Sequence, residues 1–441
     1  MANPPVSRAR LYVHNLGCPK NEADGWRLAR KLLAAGVEVV SDPAVATHIL
    51  VNTCGFIDDA KEESIEALLE ACDSYPRAAV IGAGCLVQRY RGDLEKGIPE
   101  VAAWFGLLDQ LEFEELLSAL EVEPSSPPDK AAPLLSLDQA YAYLKIADGC
   151  DEPCTFCAIP AIKGPYRALS TREILDEAER LVTEGARELV LVGQDTAGWK
   201  DEHLDLAGLV ELLAGDDRVN RIRVLYLQPE HVDHSLLERL AAQPKWCRYL
   251  DLPFQHSHPA ILKAMGRSGD GRQYLELLQH ARRLMPEVAV RSTFIVGFPG
   301  EREEHFRHLL GFVEEAMFAY AGGFVYSPQE GTAAAKLRPR VRRQTAMARL
   351  NRLNVLMEDC SLRFHQRLVG TRVQVMVDSL QPDEAPEGVI AIGRTEGQAP
   401  EVDGVTYLAG RLPKDTKVGD TVEATVSEVL GYDLLAVSDV A

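Results

Sequence analysis

No stretch of the 441 residues approaches the roughly 18 consecutive apolar residues of a membrane-spanning helix. The opening residues 1–10 have no apolar core, so a secretory signal is not expected. A Walker-type phosphate loop is missing, which argues against a phosphate-hydrolysing engine. Long internal repeats and low-complexity tracts are missing too. Positive charge is short: 47 Lys and Arg face 66 Asp and Glu, a formal charge of −19. A field of that sign discourages non-specific contact with nucleic acid and favours basic partners. Cysteine is scarce, and its count of nine is odd. That is too few for a disulfide scaffold, so the thiols read as reduced and the protein as cytoplasmic. What remains is an ordinary globular composition, 46% hydrophobic and 26% charged, which excludes a disordered or fibrous chain. The length suits about three domains.

The first third alternates short apolar runs with helical periodicity. Strands are predicted at 10–16, 37–40, 48–52, 78–82 and 101–107, and helices at 22–35, 58–75 and 111–120. That alternation implies a parallel α/β sheet. A Pro-rich polar segment at 123–139 reads as a linker between a domain at 1–122 and one at 140–367. The second domain repeats the βα alternation six times, with strands at 142–147, 188–192, 222–227, 249–254, 288–296 and 322–326. Ser170 and Glu173 form a capping box before its first long helix. Six units fall two short of a closed eight-fold barrel, so a partial barrel is predicted. The basic stretch 338–367 is read as a helix packing on that barrel, with a patch for nucleic acid or an acidic surface as the other reading. From residue 368 the pattern becomes alternating, and five strands predict a small closed β-barrel over 368–441. This tail has 13 acidic and 5 basic residues, a net of −8, the wrong sign for gripping phosphates.

Three cysteines lie within eight residues, Cys150-Asp-Glu-Pro-Cys154-Thr-Phe-Cys157, directly after the first strand of the partial barrel. Zinc normally takes four protein ligands. No histidine lies between His48 and His203, and no further cysteine is nearby. Three thiolates without a fourth ligand suit a 4Fe–4S cluster with one open iron. Three more cysteines, Cys18, Cys54 and Cys85, each follow the end of a predicted strand. Strand ends share one edge of a parallel sheet, where ligands collect, so these thiols could converge. On spacing alone, three small buried hydrophobes are the better explanation, and the shared strand-end position brings the two readings level. Cys72, Cys247 and Cys360 read as packing residues.

The CxxxCxxC spacing, with an aromatic before the last cysteine, resembles the radical S-adenosylmethionine superfamily. The resemblance covers roughly 141–367. It implies that the open iron is chelated by S-adenosyl-L-methionine, whose cleavage gives a deoxyadenosyl radical. Around the strand ends it implies a cofactor site drawn from Phe156, Gln194, Asp195, Gln255, Ser292, Gly297 and Glu301. With all three parts together, nearly the whole chain resembles the methylthiotransferase family. That resemblance implies a second 4Fe–4S cluster held by Cys18, Cys54 and Cys85, and a C-terminal barrel of the TRAM kind. Leu16-Gly-Cys-Pro-Lys-Asn21, Asn52-Thr-Cys-Gly-Phe-Ile57 and Ala399-Pro-Glu-Val-Asp-Gly404 resemble the branch that modifies an aspartate β-carbon in a basic small-subunit ribosomal protein, more than the branch that modifies tRNA adenosine. The acidic tail favours the protein substrate on charge grounds. Nucleic acid as substrate and a membrane are not expected. An electron donor and a sulfur source are required, and the sequence names neither. The rival of another class, a non-catalytic iron–sulfur carrier, has no use for the Gly-Phe-Pro-Gly turn at 297–300 or the partial barrel.

Overall fold

The computed structural model describes residues 9–122, 139–380, 382 and 386–439. Residues 1–8, where no secretory signal was expected, and nearly all of the predicted linker lie outside the described residues. The chain divides into two compact units, Met1–Ser136 with Ala158–Pro165, and Leu137–Cys157 with Tyr166–Ala441. Among the described residues no helix is long and apolar enough to cross a membrane.

The first unit is built on five parallel strands, β1 (Arg10–Asn15), β2 (Glu38–Val39), β3 (His48–Thr53), β4 (Ala79–Gly84) and β5 (Ala103–Trp104), ordered β2-β1-β3-β4-β5. Helices α1 (Pro19–Ala34), α2 (Asp58–Ser74), α3 (Cys85–Gly97) and α4 (Phe113–Ala119) connect or follow them. The central β3 is buried along its whole length, as a strand covered on both faces must be. Three elements differ most from the sequence expectation, and the first is β5, two residues long where a strand was predicted over 101–107. Helix α1 starts at Pro19 rather than near residue 22, because proline at the first helical position needs no N–H partner. Helix α3 was not predicted at all: Tyr90 is non-helical, with φ −131° and ψ 22°, and this break interrupts the periodicity. A short helix, α5 (Ile159–Lys163), also belongs to this unit, although it follows the Cys150–Cys157 loop in sequence.

The second unit holds six parallel strands in two runs of three. Tyr141–Lys145, Glu188–Val192 and Arg221–Val224 form the first, and Tyr249–Asp251, Ala289–Val296 and Tyr320–Val325 the second. A parallel bridge between Ile222 and Trp246 joins the runs, giving the open partial barrel. The predicted capping box is present, Ser170 accepting from the Glu173 amide. The basic helix, Arg343–Gln366, packs on the last strand, and two of its arginines find acids outside the helix. Arg349 is buried against Glu301 at 3.0 Å, and Arg352 meets Glu303 at 3.1 Å. The packing reading of this helix therefore holds.

The last five strands, Arg372–Leu380, Val389–Arg394, Thr406–Ala409, Thr421–Leu430 and Asp433–Ser438, close into a barrel. It packs on the edge where the six parallel strands begin. Glu188, at the start of one strand, accepts from Arg223 at 2.7 Å and from Arg394 of the barrel at 2.8 Å. Tyr249 donates to Asp403 at 2.6 Å, and Tyr141 to Glu401 at 2.9 Å. Asp378 in turn pairs with Arg394 at 2.8 Å. Part of the tail's acidity is thus spent on holding the barrel in place rather than displayed to a partner. A cavity of about 750 Å³ lies at this edge, lined by Arg221, Lys245, Tyr320, His365 and Gln398 among others. It is at the opposite edge from the Cys150–Cys157 loop, which follows the end of a strand.

Candidate iron–sulfur and cofactor sites

In the first unit, β1, β3 and β4 are adjacent, and their register aligns Asn15 with Asn52 and Asn52 with Ala83. Cys18, Cys54 and Cys85 follow those three residues by three, two and two positions. Sheet order and register therefore bring the three thiols to one edge. Cys18 precedes the first turn of α1, and Cys85 is the first residue of α3. Cys54 is buried along with Cys85, and each feels the charge of the other two thiols of the triad or of one of them: Cys18 at Cys54, and Cys18 and Cys54 at Cys85.

A polar clamp holds the edge together. Asn21 donates to the Leu16 carbonyl at 2.9 Å and the Thr53 carbonyl at 3.2 Å, and accepts weakly from Cys85 Sγ at 3.9 Å. Asn52 donates to Asn15 Oδ1 and to the Asn21 carbonyl. Ser64 brackets Cys54, accepting from its amide and donating to its carbonyl. Gly17, with φ +93°, leaves no room for a side chain: a Cβ would sit 2.6 Å from Cys54 Cβ and 2.9 Å from its Sγ. Burial pushes the Cys85 thiol up to about 12, opposed by the Lys163 ammonium. Such thiols are neutral unless a metal centre replaces their protons.

In the second unit, the Cys150–Cys157 loop is fastened from outside. Thr155 donates its amide to the Met265 carbonyl and its hydroxyl to the Ala264 carbonyl, both at 2.8 Å, and the Ala334 amide donates back to the Thr155 carbonyl. A Cβ on Gly266 would lie 2.2 Å from the Pro153 carbonyl oxygen, so the loop rests on bare backbone there. Phe156 packs beside Ile261, Met265, Phe298 and Ala334, anchoring the loop between its last two thiols. The Glu152 amide donates to Cys150 Sγ at 3.4 Å. Burial pushes the Cys154 thiol up to about 11, opposed by Arg267, which is itself fixed on Glu230 at 2.8 Å.

The donor chemistry of both triads, three thiols each, fits an iron–sulfur cluster.

The expected cofactor residues divide into two sets. Asp195 lies beside the thiol loop, accepting from His231 Nδ1 at 2.5 Å, while His231 Nε2 is 3.4 Å from Glu152 inside that loop. Among the described residues, Gln194 next to it has a buried Oε1 with no partner. Tyr166 Oη and Gln228 Nε2 are likewise buried without partners, and Tyr166 feels the charges of Asp195 and Cys150. These atoms leave polar capacity open for a ligand at the strand ends. In the second set the side chains of Ser292 and Glu301 are engaged within the protein. Ser292 donates to the Leu252 carbonyl at 2.7 Å, and Gln255, at φ 67°, is tied by its backbone to Thr293 and Ile295. Glu301 accepts from the amides of Gly297 and Phe298 and from Arg349, and Gly297 sits against Ala346. Tyr166, Gln228, His231, Arg267 and Asn21 were not singled out from the sequence. Gln228 was within reach, since it follows the end of the third barrel strand, the same kind of position that identified Gln194. Cys247 and Cys360 are fully buried and Cys72 half-buried against apolar neighbours, as packing residues should be.

Three family models match parts of the chain. The radical SAM superfamily model matches 144–313, the model described as uncharacterized protein family UPF0004 matches 10–106, and the TRAM domain model matches 369–438. A relative from Aquifex aeolicus named ribosomal protein uS12 methylthiotransferase RimO is 40% identical, over 96% of each chain. A relative of the same name from Thermotoga maritima is 39% identical, over 96% of this chain and 99% of its own. Among solved structures, the radical S-adenosylmethionine methyltransferase TsrM from Kitasatospora setae is similar in fold, with a TM-score of 0.54 at 16% identity over 86% of this chain and 79% of that one.

Proposed function

We infer the activity from one premise: this chain belongs to the ribosomal protein uS12 methylthiotransferase family. It is a radical SAM methylthiotransferase that uses an iron–sulfur cluster and S-adenosylmethionine. We propose that it carries two 4Fe–4S clusters, one on Cys150, Cys154 and Cys157 and one on Cys18, Cys54 and Cys85. Its substrate is then ribosomal protein uS12, with a methylthio group inserted at the β-carbon of an aspartate. The observation that carries this reading is the pair of thiol triads, one on a single loop after a barrel strand and one gathered from the ends of three parallel strands. Nine free cysteines and a ribosomal substrate suit the cytoplasm.

When bound, the cofactors supply a radical able to take hydrogen from an unactivated carbon, and a sulfur to replace it. The protein's own part is to hold geometry and exclude water. Phe156, Gly266 and Thr155 fix the thiol loop. Gln194, Tyr166 and Gln228 offer buried hydrogen-bonding atoms at the strand ends, and the Asn21–Asn52 clamp holds the other triad. The acidic balance of the chain suits a basic ribosomal protein. An electron donor and a sulfur source must also take part.

The test is anaerobic turnover of the reconstituted protein with S-adenosylmethionine, sulfide and a reductant, offering uS12 and bulk tRNA side by side. Mass spectrometry should find a methylthio group on a uS12 aspartate and unmodified tRNA. Methylthioadenosine in the tRNA with unmodified uS12 would overturn the substrate assignment. No consumption of S-adenosylmethionine would point to a carrier.

A further inference from the structure

Helix α5 begins two residues after Cys157, yet its apolar side packs in the first unit. Ala158 and Ile162 form one buried cluster with Leu107 and Cys85. Its last residue, Lys163, is buried against Asp24 of α1, with an N–O distance of 3.3 Å and side-chain exposures of 3% and 4%. Taking a lysine and an aspartate out of water is expensive, and an apolar pair would often hold a helix as well. The charge therefore calls for a purpose beyond fastening. The Cys18, Cys54 and Cys85 edge supplies one: three thiols that ionise on binding a metal centre concentrate negative charge in a largely buried place. Of the charges acting on Cys85, that of Lys163 is the largest, and it opposes those of Cys18, Cys54 and Asp24.

We propose that Lys163 is a charge-compensating residue for the iron–sulfur cluster of the first unit, delivered by the segment that directly follows the other cluster's loop. This rests on the two-cluster reading. Cluster reduction potential follows net charge and burial around the sulfurs, so a fixed nearby cation makes the reduced state easier to reach.

The experiment uses the full chain with Cys150, Cys154 and Cys157 all changed to alanine, so that only the first-unit cluster can assemble. Iron content and a redox titration followed by electron paramagnetic resonance are compared for this parent and for Lys163→Met, Lys163→Arg and the double change Asp24→Asn with Lys163→Met. The expected result is a lower midpoint in Lys163→Met, on the order of a tenfold fall in reduced over oxidised cluster at fixed potential, about 59 mV for one electron. Lys163→Arg should restore it. The double variant removes the unpaired aspartate and should still titrate low. Equal midpoints in all four would overturn the proposal. So would loss of iron in Lys163→Met that the double variant restores with the parent's midpoint, because the pair would then be only a fastening. Absence of iron in the parent would instead defeat the two-cluster reading.

Discussion

The two thiol triads reach similar ends by opposite means. Cys150, Cys154 and Cys157 share one loop, so chain connectivity alone keeps them within a few residues' reach. The fold adds only orientation, through Thr155, Phe156 and the bare backbone of Gly266. Cys18, Cys54 and Cys85 are separated by 36 and 31 residues, and only three adjacent parallel strands in register bring them together. A local site survives as long as its loop is fastened. A dispersed site exists only while the sheet does, and it needs a polar clamp such as Asn21 and Asn52 to align its three loops.

The sharpest way to break the comparison is to remove one thiol from each triad. Cys154→Ala should abolish deoxyadenosine formation, and Cys54→Ala should retain it while losing methylthio insertion. Iron should fall by about half in either, if each triad holds one of two four-iron clusters. Normal S-adenosylmethionine cleavage by Cys154→Ala would unseat the loop assignment.

Next in size is a control far from both triads. Arg394→Met leaves the fully buried Glu188 short of a partner, which should cost about 3–5 kcal/mol of stability in denaturant titration. Iron content in the folded protein should not change. A selective loss of iron from either triad would mean that the barrel reaches the cluster sites, and the distinction between fold and ligand effects would fail.

Smaller effects should come from the two close approaches. Gly17→Ala sets a methyl against Cys54 at a φ of +93°, a strain on the order of 1–3 kcal/mol. It should lower methylthio insertion and spare cleavage. Gly266→Ala pushes on the Pro153 carbonyl and should do the reverse. The comparison is sharpened if the two variants separate the two half-reactions, and lost if both impair both equally.

The gentlest probe is pH. Burial alone would raise the Glu188 carboxyl, but Arg223, Arg394 and Arg221 override it and hold the group down at about 2, from 4.5. A depressed folded value means stability that is present in full above pH 4.5 and lost as pH falls towards 2. Acid unfolding of the wild type should show this slope, and Arg394→Met should flatten it. An unaltered slope would remove Glu188 as its source.

How much was legible follows from which interactions are local. The capping box at Ser170 and Glu173, the alternation of the last five strands and the Cys150–Cys157 spacing are short-range, and all were readable. Helix α3 was hidden by the break at Tyr90. Asn21 was visible only as part of a motif, because its work is to join Leu16, Thr53 and Cys85 across the sheet. Among the strand-end residues, Ser292 and Glu301 turn out to spend their polar groups on Leu252, Gly297, Phe298 and Arg349. Gln194, Tyr166 and Gln228 keep theirs open, a difference that depends on neighbours remote in sequence.

The sequence by itself determined the order of strands and helices, the thiol loop and the charge balance, because periodicity and spacing act over a few residues. Only the tertiary structure decided that Cys18, Cys54 and Cys85 share an edge, that the tail's acids are partly consumed at the strand starts, and that Lys163 is buried beside Asp24. Those outcomes depend on strand order, register and burial, which arise when distant segments compete for the same core.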